Sequence, residues 1–565
     1  MLFDGETYTI QFWQDEILGR VLAIDTETSI KPFTETPDLI TFQVYDGESL
    51  FYVPRDKVFT FLDLHKDRIL VFANASFDID VIEKDTDFRF KEQIEGELIY
   101  DILIMYRLLK LGTVGSVPNR YGLSLITEEF LGISLDKNVE IRCNFESYRD
   151  IPVEEIPIHF LEYGAADVIA THKTYACLQR DILKTGTTTC LSHHIQLLGS
   201  LALNRMYKNG IGYDESKATI ALESLRTKMK DHFDIMCTYG WVKGMKGNQG
   251  VYNNIIEYLE IPLPKTDKGD YSMKESELEP YKVDPFINSY LNYKKLEKTT
   301  FFIRKLSGDR VHPRYDLLKN TGRTGCSSPN IQQLPRDGDI RSMFRAAEGN
   351  VLLITDYSAI ELSTLAQVLY DSFGESVMRD KINEGADLHR YYASVLFSTE
   401  EDKVEKWQRQ AAKAANFGFP GGLGIDTFIE FSKGYGLDIP REEAHDMKKI
   451  WFEAFPEMKK YLASDIGYVW TRTGRLRADT TYCAEKNTPF QGLAADGAKI
   501  ALYNLMKEGF KLVGFVHDEI ITEVPKDKVE EMRVLQEQIM VQSMQVVVPD
   551  VAIRVESTIS ERYCK

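Results

Sequence analysis

Paired acids at the end of an apolar strand constrain this chain more than any other feature of its sequence. Asp25 and Glu27 lie two residues apart where the apolar run VLAID ends. Side chains at positions i and i+2 of a strand point to the same side, so both carboxylates face one point in space. Clustered acids repel each other unless a cation neutralises them, and hard oxygen ligands suit Mg²⁺ or Mn²⁺. The plainer alternative is a solvent-facing pair on an edge strand.

Three further side chains favour the metal interpretation. Asp78 ends the segment NASFD, which begins at Asn74 and follows a second apolar strand, ILVFA. Tyr163 and Asp167 lie four residues apart in a helical stretch, so they share one helix face. Four acids with a phenol beside them predict a site for two metals that orients a water for attack on phosphorus.

A second pair of acids lies in the carboxy-terminal half. Asp356 closes the apolar strand VLLITD, and Asp518 lies in HDE at the tip of a predicted hairpin, KLVGFVHDEIITEV. Two acids at the ends of neighbouring strands predict another two-metal site, here for phosphoryl transfer. The alternative is a pair of turn aspartates, since Asp is frequent in turns.

A helical segment between these acids predicts a nucleotide site. Arg409, Lys413 and Phe417 are spaced at i, i+4 and i+8 in EKWQRQAAKAANFG, so two cations and a ring share one face. A solvated helix face explains the cations but not the phenylalanine in line with them. A nucleoside triphosphate explains all three, since cations bind phosphates and a ring packs on a base or sugar.

Length and composition predict a multidomain globular protein. The 565 residues exceed one hydrophobic core, and 43% hydrophobic with 27% charged residues is ordinary globular composition. A run of eighteen apolar residues is lacking and the first residues are acidic, so we expect neither a membrane span nor a secretory signal. Seven scattered cysteines without a CxxC pair favour a reducing compartment, and we expect a cytoplasmic location.

The charge distribution permits nucleic-acid binding despite a net charge of −18. Residues 1–180 sum to −15, but residues 291–345 hold twelve Lys and Arg against five Asp and Glu. A solvated surface is the plainer interpretation of this basic segment. Short β-rich runs alternate with helical ones over the first 110 residues, residues 154–235 are helical in pattern, and strands return at the end. The chain is therefore expected to combine α/β and α+β domains, with a break near residue 180.

In this order, DTE (25–27), NASFD (74–78) and YGAAD (163–167) resemble the three motifs of proofreading 3′–5′ exonucleases of the DnaQ-like class. The resemblance implies an RNase H-like exonuclease domain over residues 1–180 that degrades a single-stranded DNA 3′ end. It also implies that two divalent metals are bound by Asp25, Glu27, Asp78 and Asp167, with Tyr163 placing the nucleophilic water.

The rest of the chain resembles family A DNA polymerases, the DNA polymerase I class. The matching segments are DYSAIEL (356–362), RQAAKAANFG (409–418), HDE (517–519), TGRTGCSSPNIQQLP (321–335), DLH (387–389) and NTPFQGLAAD (487–496). The resemblance implies a right-hand polymerase domain over residues 181–565. Its expected parts are a thumb at about 190–310, a palm at about 311–375 and 480–565, and fingers at about 376–479.

The resemblance also implies roles for individual residues. The residues expected to bind metal are Asp356, Tyr357 and Asp518, with Glu519 beside them. Those expected to bind the nucleotide are Glu361, His389, Arg409, Lys413 and Phe417. Those expected to bind DNA are Arg323, Asn330, Gln332, Asn487, Gln491 and His517. Among these, Lys413 is also expected to protonate the leaving group, and Glu361 to block a 2′-hydroxyl. Arg323, Gln491 and His517 would sense the minor groove at the primer end, where every correct pair shows acceptors at similar positions.

Four positions depart from the family pattern. Gly421 replaces a tyrosine four residues after the motif B phenylalanine, and Ala359 replaces the motif A glutamine. Ser363 and Cys483 each stand where the family usually has arginine. These departures bear on fidelity and on handling of the templating base rather than on metal chemistry.

The predicted function is template-directed DNA synthesis with 3′–5′ proofreading, both by two-metal-ion catalysis. Each site is expected to use two Mg²⁺ ions, which Mn²⁺ can replace. The expected partners are primer-template DNA, dNTPs and a single-stranded 3′ end, with no membrane, and the sequence does not tell whether a processivity factor binds. The absence of room for a 5′-nuclease domain before residue 25 favours a replicative enzyme of phage type, which would act in the host cytoplasm. A single-subunit RNA polymerase and an inactive primer-template scaffold remain as alternatives.

Overall fold

The computed structural model describes residues 1–135, 139–186, 190–242, 249–334 and 338–564. Contacts within the chain divide it into two compact units. The larger unit comprises Met1–Asn209, Tyr315–Gly325 and Leu353–Ser557, and the smaller unit comprises Gly210–Arg314, Cys326–Leu352 and Thr558–Lys565. This division does not test the predicted boundaries of the exonuclease domain, thumb, palm and fingers, which stay predictions.

The first 209 residues form a sheet flanked by helices. The strands of these residues are β1 (Leu2–Phe3), β2 (Glu6–Thr7), β3 (Ile10–Phe12), β4 (Val21–Thr28), β5 (Leu39–Tyr45), β6 (Leu50–Val53), β7 (Ile69–Phe72) and β8 (Ile99–Asp101). Strands β1 and β2 pair only with each other. The helices are α1 (Val58–Leu64), α2 (Ala75–Asp85), α3 (Lys91–Glu95), α4 (Ile102–Val114), α5 (Leu123–Leu131), α6 (Val139–Asn144), α7 (Ile158–Lys184) and α8 (Cys190–Asn209). The sheet has the order β3-β6-β5-β4-β7-β8.

Strand β4 lies at the centre of this sheet because its apolar residues need cover on both faces. It pairs antiparallel with β5 and parallel with β7, and its register places Asp25 opposite Gln43. Helix α7 packs on the sheet through Ala165, Val168 and Ile169, all fully buried. This packing brings the polar face of α7 to the carboxylates of β4.

Residues 210–349 belong largely to the smaller unit. The strands are β9 (Ile211–Tyr213), β10 (Arg310–Val311), β11 (Arg314–Asp316), β12 (Gly325–Ser327) and β13 (Phe344–Arg345), and the helices are α9 (Glu215–Thr238), α10 (Gln249–Tyr258), α11 (Glu275–Leu278), α12 (Pro285–Ile303) and α13 (Gly338–Arg341). The long helices α9 and α12 pack against each other. Within this unit, one hydrophobic core is rich in aromatic residues, which include Trp241, Tyr252, Phe286 and Tyr290.

The remaining elements form the second major sheet and the helices around it. The strands are β14 (Asn350–Tyr357), β15 (Val469–Trp470), β16 (Leu476–Arg477), β17 (Lys511–Val516), β18 (Glu519–Pro525) and β19 (Val555–Ser560). The helices are α14 (Ile360–Phe373), α15 (Val377–Asn383), α16 (Leu388–Leu396), α17 (Lys406–Gly418), α18 (Ile425–Lys433), α19 (Arg441–Ala454), α20 (Glu457–Ala463), α21 (Tyr482–Lys507) and α22 (Val529–Gln545). Short 3₁₀ turns lie at Arg55–Lys57, Phe145–Tyr148, Val153–Glu155, Glu279–Tyr281, Ile331–Gln333, Glu401–Lys403, Phe419–Gly421 and Lys526–Lys528.

The predicted carboxy-terminal hairpin is present as β17 and β18. These strands pair antiparallel, and the sheet order is β17-β18-β14-β19, so β14 and the hairpin are neighbours. His517 takes the left-handed conformation (φ +61°) in the tight turn, which leaves Asp518 at the edge of the sheet beside the end of β14. None of the described helices is both long and apolar enough to cross a membrane.

Candidate active sites

Three of the predicted exonuclease acids converge at one point. Asp25 and Glu27 come from β4 and Asp167 from α7, and one carboxylate oxygen of each lies within 4.8 Å of the others. Asp78 is not part of this close group. Its charge nevertheless raises the pKa of Asp25, so it borders the cluster.

The carboxylates of this cluster repel one another, and this repulsion is visible in their pKa values. Burial raises the pKa of Asp25 well above its ordinary value, and the charges of Asp78, Glu27 and Asp167 raise it further. Burial also raises the pKa of Asp78 to about 7, although a hydrogen bond from Thr26 opposes the shift. A cation at this point would relieve both desolvation and repulsion.

Three polar residues that the sequence analysis missed hold these acids in place. The Gln43 Nε2 donates to Asp25 Oδ2 at 2.8 Å, and the Thr41 hydroxyl donates to Gln43 Oε1 at 2.9 Å. The Thr26 hydroxyl donates to Asp78 Oδ1 at 2.7 Å. The available signal was the alternation of Thr41 and Gln43 within the otherwise apolar strand LITFQVY, which places both on one face. Since Gln43 is fully buried, leaving it unpaired would cost about 1–3 kcal/mol.

A further missed residue, Asp101, fixes the helix that carries Asp78. One Asp101 carboxylate oxygen accepts from the backbone N–H of Ala75 at 2.9 Å, at the start of α2. The same side chain caps the start of α4 by accepting from Leu103 N–H at 2.8 Å. Asp101 therefore joins the first turns of both helices and holds α2 in place.

Tyr163 lies one helical turn before Asp167 on α7, as predicted from the sequence. It is half-buried, and its ring lies 6.3 Å from that of Phe145. The phenol is thus on the same helix face as Asp167, which is the arrangement that the spacing predicts.

The two carboxy-terminal acids also lie close together. Asp356 is near the end of β14, Asp518 is in the β17–β18 turn, and the Tyr357 N–H contacts the Asp518 carbonyl at 3.4 Å. Burial raises the pKa of Asp518 to about 7, and the charge of Asp356 raises it further. Glu519 begins β18, is buried, and adds to this shift. Asp356 and Asp518 therefore form a second site where carboxylates repel.

The side chain of Tyr357 faces away from these acids. Its hydroxyl donates to the Met540 carbonyl at 2.9 Å, and the ring is fully buried. The phenol is therefore unable to bind a metal beside Asp356, and the predicted metal contact is left to the main-chain carbonyl of Tyr357.

Arg323 and Glu361 form an ion pair next to the second acidic site. Glu361 lies in the first turn of α14, two residues after Ala359, which takes the left-handed conformation (φ +50°). Burial lowers the pKa of Arg323 and the negative charge of Asp518 opposes this, so the guanidinium lies within electrostatic reach of Asp518. The structure thus brings together a predicted DNA contact and the predicted sugar-selecting residue.

The predicted triphosphate residues share one surface of α16 and α17. Lys413 Nζ lies 5.9 Å from the ring centroid of Phe417, and the rings of Phe417 and His389 are 5.4 Å apart. Arg409 is held by Asp387, with Nε to Oδ2 at 2.9 Å. Burial lowers the pKa of His389 to about 4, and the charges of Arg409 and Lys413 contribute, so this imidazole is neutral at pH 7.

The space beside Gly421 is filled by Asn487. Helix α17 ends at Gly418, and a 3₁₀ turn follows that ends at Gly421. A Cβ added at Gly421 would lie 2.6 Å from Asn487 Nδ2. Asn487 is one helical turn from Gln491 on α21, whose Nε2 donates to it at 3.4 Å. The neighbouring aromatic Phe419 lies elsewhere, buried against Phe428 and Trp451.

The other departures from the family pattern lie in different surroundings. Ser363 is buried in α14, and Cys483 is exposed in the first turn of α21. Asn487 Nδ2 donates to the Cys483 carbonyl at 2.8 Å, so this position contributes its backbone rather than its side chain.

Two predicted DNA contacts and a basic groove belong to the smaller unit. Asn330 caps the turn Ile331–Gln333 by accepting from the backbone N–H of Gln332 at 3.1 Å. Helices α9 and α12 line a groove of about 1000 Å³ whose walls include Arg226, Lys230, Lys294 and Lys298. Lys295, in the same basic helix, does not line it.

Divalent cations fit both acidic sites by the chemistry of their donors. Each site offers carboxylate oxygens from separate elements, and each contains a carboxyl whose pKa is raised by its neighbours. Such oxygen ligands suit hard divalent cations.

Two family models match the chain. The model described as 3'-5' exonuclease matches residues 10–183, and the model described as DNA polymerase family A matches residues 245–565, more than half of the chain. Both matched regions contain the acidic site that the sequence predicts for them.

Curated relatives are similar over different shares of the chain. DNA polymerase I of Aquifex aeolicus is 28% identical over 585 residues, which covers 96% of this chain and 96% of that protein. DNA polymerase I of Lactococcus lactis subsp. lactis is 32% identical over 332 residues, covering 52% of this chain and 37% of that protein. The thermostable DNA polymerase I of Thermus aquaticus is 31% identical over 324 residues, covering 50% and 38%. The last two alignments thus span less than half of each relative.

A solved structure has the same fold. It is described as the POL domain of Pol1 from M. smegmatis in complex with DNA primer-template and dNTP. The TM-score is 0.75 over 97% of this chain and 96% of that chain, with 20% sequence identity.

Replacing Gln43 with leucine is expected to impair the exonuclease site selectively. The change removes the hydrogen bond to Asp25 while an apolar side chain of similar size keeps β5 buried. Loss of such an outer partner typically lowers activity or metal affinity by about 10–100-fold. We expect single-strand degradation to fall by this amount with primer extension unchanged. The matched control is Gln11→Leu, an exposed glutamine on β3 of the same sheet; equal degradation rates in the two variants would contradict the role of Gln43.

Metal binding at both sites is expected to weaken as the pH falls through about 7. The raised pKa values of Asp78 and Asp518, each about 7, mean that the metal-free protein holds protons there below that pH, and a cation has to displace them. Affinity should therefore fall by about tenfold per pH unit below 7 for each displaced proton and level off above it. Calorimetric Mn²⁺ titrations in two buffers of different ionisation enthalpy measure the protons released. A constant affinity between pH 5.5 and 8.5, without proton release, would contradict the competition.

Proposed function

The chain belongs to DNA polymerase family A and is a DNA-directed DNA polymerase with a 3′–5′ exonuclease domain, and we propose that each of its two acidic sites works with a pair of divalent cations. The observation that carries this proposal is the convergence of half-buried, mutually repelling carboxylates at two separate places. Asp25, Glu27, Asp78 and Asp167 would hold the cations of one site, and Asp356, Asp518 and the Tyr357 carbonyl those of the other, with Glu519 beside them. The cations are Mg²⁺, which Mn²⁺ can replace.

Bound cations supply an activated oxygen nucleophile and stabilise charge on phosphorus and on the leaving oxygen. At the exonuclease site, Tyr163 orients the water against the last phosphodiester of a single-stranded 3′ end. Gln43 keeps the Asp25 carboxylate in the orientation that this attack needs, because its amide donates to one carboxylate oxygen and leaves the other free.

At the polymerase site, the surface of α16 and α17 binds the incoming dNTP. Arg409 and Lys413 carry the charge that the triphosphate needs, and Lys413 protonates the departing pyrophosphate. His389, neutral at pH 7, donates a hydrogen bond rather than a charge. Phe417 packs against the nucleotide.

Glu361 and the residues around it select the sugar and test the primer end. Glu361 excludes a 2′-hydroxyl, while Arg323, Gln491 and His517 donate to the minor-groove acceptors that all correct pairs share. Asn487, which fills the space beside Gly421, joins this set on the template side. Asn330 and Gln332 contact the DNA from the segment that follows Arg323.

The partners proposed for this enzyme are primer-template DNA, dNTPs and the single-stranded 3′ end. The basic groove between α9 and α12 suits the phosphate backbone of the duplex. We assign residues 1–180 to the exonuclease domain and residues 181–565 to the thumb, palm and fingers at the predicted positions. We also propose a replicative role of phage type in the host cytoplasm. Membership of the family sets aside the RNA polymerase and the inactive scaffold.

The two activities are expected to be separable by substitution. Asp356→Ala or Asp518→Ala should lower primer extension by more than about 100-fold, beyond the range seen for loss of an outer partner, and leave degradation of single strands intact. Asp25→Ala with Glu27→Ala should do the reverse. Primer extension and degradation of an end-labelled single strand measure the two activities. Loss of both activities in a folded variant of either kind would rule out independent sites.

Charge reversal in the groove is expected to weaken duplex binding. Lys298→Glu removes a cation that lines the groove, whereas Lys295→Glu makes the same change on the same helix outside it. Each lost phosphate contact should reduce the slope of log K against log salt by about 0.9. Fluorescence anisotropy with labelled primer-template at several salt concentrations measures this slope. Identical slopes for the two variants would show that the groove does not bind DNA.

A further inference from the structure

The loop of residues 316–323 carries Arg323 and is closed by its own hydrogen bonds. The Lys319 N–H donates to the Arg323 carbonyl at 2.8 Å, and the Gly322 N–H donates to the Lys319 carbonyl at 2.7 Å. The backbone of Arg323 therefore follows the position of the rest of the loop.

A buried arginine of the exonuclease domain holds the start of this loop. Arg107, on α4, is only 3% exposed. Its Nη2 donates to Asp316 Oδ1 and to the Leu318 carbonyl, both at 2.6 Å. The guanidinium carbon lies 4.3 Å from the ring centroid of Tyr121, so the planar group is fixed by stacking as well as by hydrogen bonds.

A second contact comes from the segment that follows α4. The Val117 N–H donates to Asn320 Oδ1 at 2.9 Å. Both contacts originate within the region matched by the exonuclease family model, residues 10–183. The loop that carries a polymerase residue is thus held from the exonuclease domain.

The other side of the loop rests on helix α21. Lys499 Nζ donates to the Gly322 carbonyl at 2.7 Å. Asp496, on the same helix, is fully buried, and Arg475 Nη1 donates to both of its carboxylate oxygens, at 2.6 and 2.9 Å. A Cβ at Gly322 would lie 2.3 Å from Arg475 Nη2, and Gly322 has a φ of +95°, so the loop has no room to shift towards this support.

The consequence concerns the ion pair between Arg323 and Glu361. With α21 closing one side, Arg107 fixes the remaining side of the loop. If its contacts were lost, the loop would move away from α21 and carry Arg323 with it. A misplacement of about 1 Å by a group outside the reaction can lower a rate by about 100-fold.

We propose that Arg107, although it lies in the exonuclease domain, is a positioning residue for the polymerase reaction, which acts through the 316–323 loop to hold Arg323 at the primer end. This inference rests on the proposed role of Arg323 in the polymerase site. It gives the exonuclease domain a part in DNA synthesis that is independent of hydrolysis.

The test uses the full chain with Asp25→Ala and Glu27→Ala, so that proofreading does not obscure extension. In this parent, Arg107→Met should lower the kcat for extension of a matched primer end by about tenfold. Extension of a mismatched end should change by less than about twofold, so the matched-to-mismatched ratio falls. Arg107→Lys, which keeps the charge and reaches one acceptor, should give an intermediate ratio.

A double-mutant cycle separates positioning from general destabilisation. In an Arg323→Ala background, Arg107→Met should have less than about a twofold further effect, because the residue that it positions is gone. The matched control is Lys110→Met, on the same helix, whose cation pairs with Glu129 inside the exonuclease domain. This control should extend matched and mismatched ends at the parent rates.

Three results would overturn the inference. They are an unchanged matched-to-mismatched ratio in Arg107→Met, an equal loss in the Arg323→Ala background, or the same loss in Lys110→Met. If Arg107→Met does not fold, Asn320→Ala, which removes the Val117 contact from the loop side, has to lower the same ratio. Failure of the parent itself to extend a matched primer would instead count against the proposed function.

Discussion

Repulsion between clustered carboxylates is the interaction on which both sites depend. The fold places one carboxylate oxygen each of Asp25, Glu27 and Asp167 within 4.8 Å of the others, where all three side chains are half-buried and lose part of their hydration. Without a cation, such acids can relieve their charge only by taking up protons, and repulsion raises the pKa of Asp25 in one site and of Asp518 in the other. Sheet pairing and the packing of α7 supply the free energy that keeps the acids together. The acids are therefore brought together by the fold itself, before any of the cations proposed for them bind.

The arginine side chains proposed for the polymerase site, unlike the clustered acids, are paired with groups of opposite charge. These partners are easily replaced. Arg409 pairs with Asp387 and Arg323 pairs with Glu361, and all four side chains remain a quarter to a half exposed. Ion pairs with this exposure are worth only about 0–1 kcal/mol. A triphosphate or a base edge that offers bidentate acceptors can displace such a carboxylate at little cost. Weak pairing thus orients the guanidinium groups and leaves them accessible to the ligands proposed for them.

Local spacing determined what the sequence could predict. Asp25 with Glu27, Tyr163 with Asp167, and Arg409 with Lys413 and Phe417 share a strand or a helix, so period alone places them on one face. The supporting residues were missed because their partners are distant in sequence. Gln43 meets Asp25 only through the register of β4 and β5, and Arg107 meets Leu318 across 211 residues. The filling of the space at Gly421 by Asn487 likewise depends on how α21 packs, which no local pattern encodes.

Helix α4 connects the supports of the two sites. At its first turn, Asp101 accepts from the N–H groups that begin both α4 and α2, and α2 carries Asp78. Less than two turns further, Arg107 binds the loop that carries Arg323. Both Asp101 and Arg107 are buried and hydrogen-bonded, so the two supports lie on one well-packed helix. If the two proposed sites act on one DNA strand, a common support keeps the distance between them fixed.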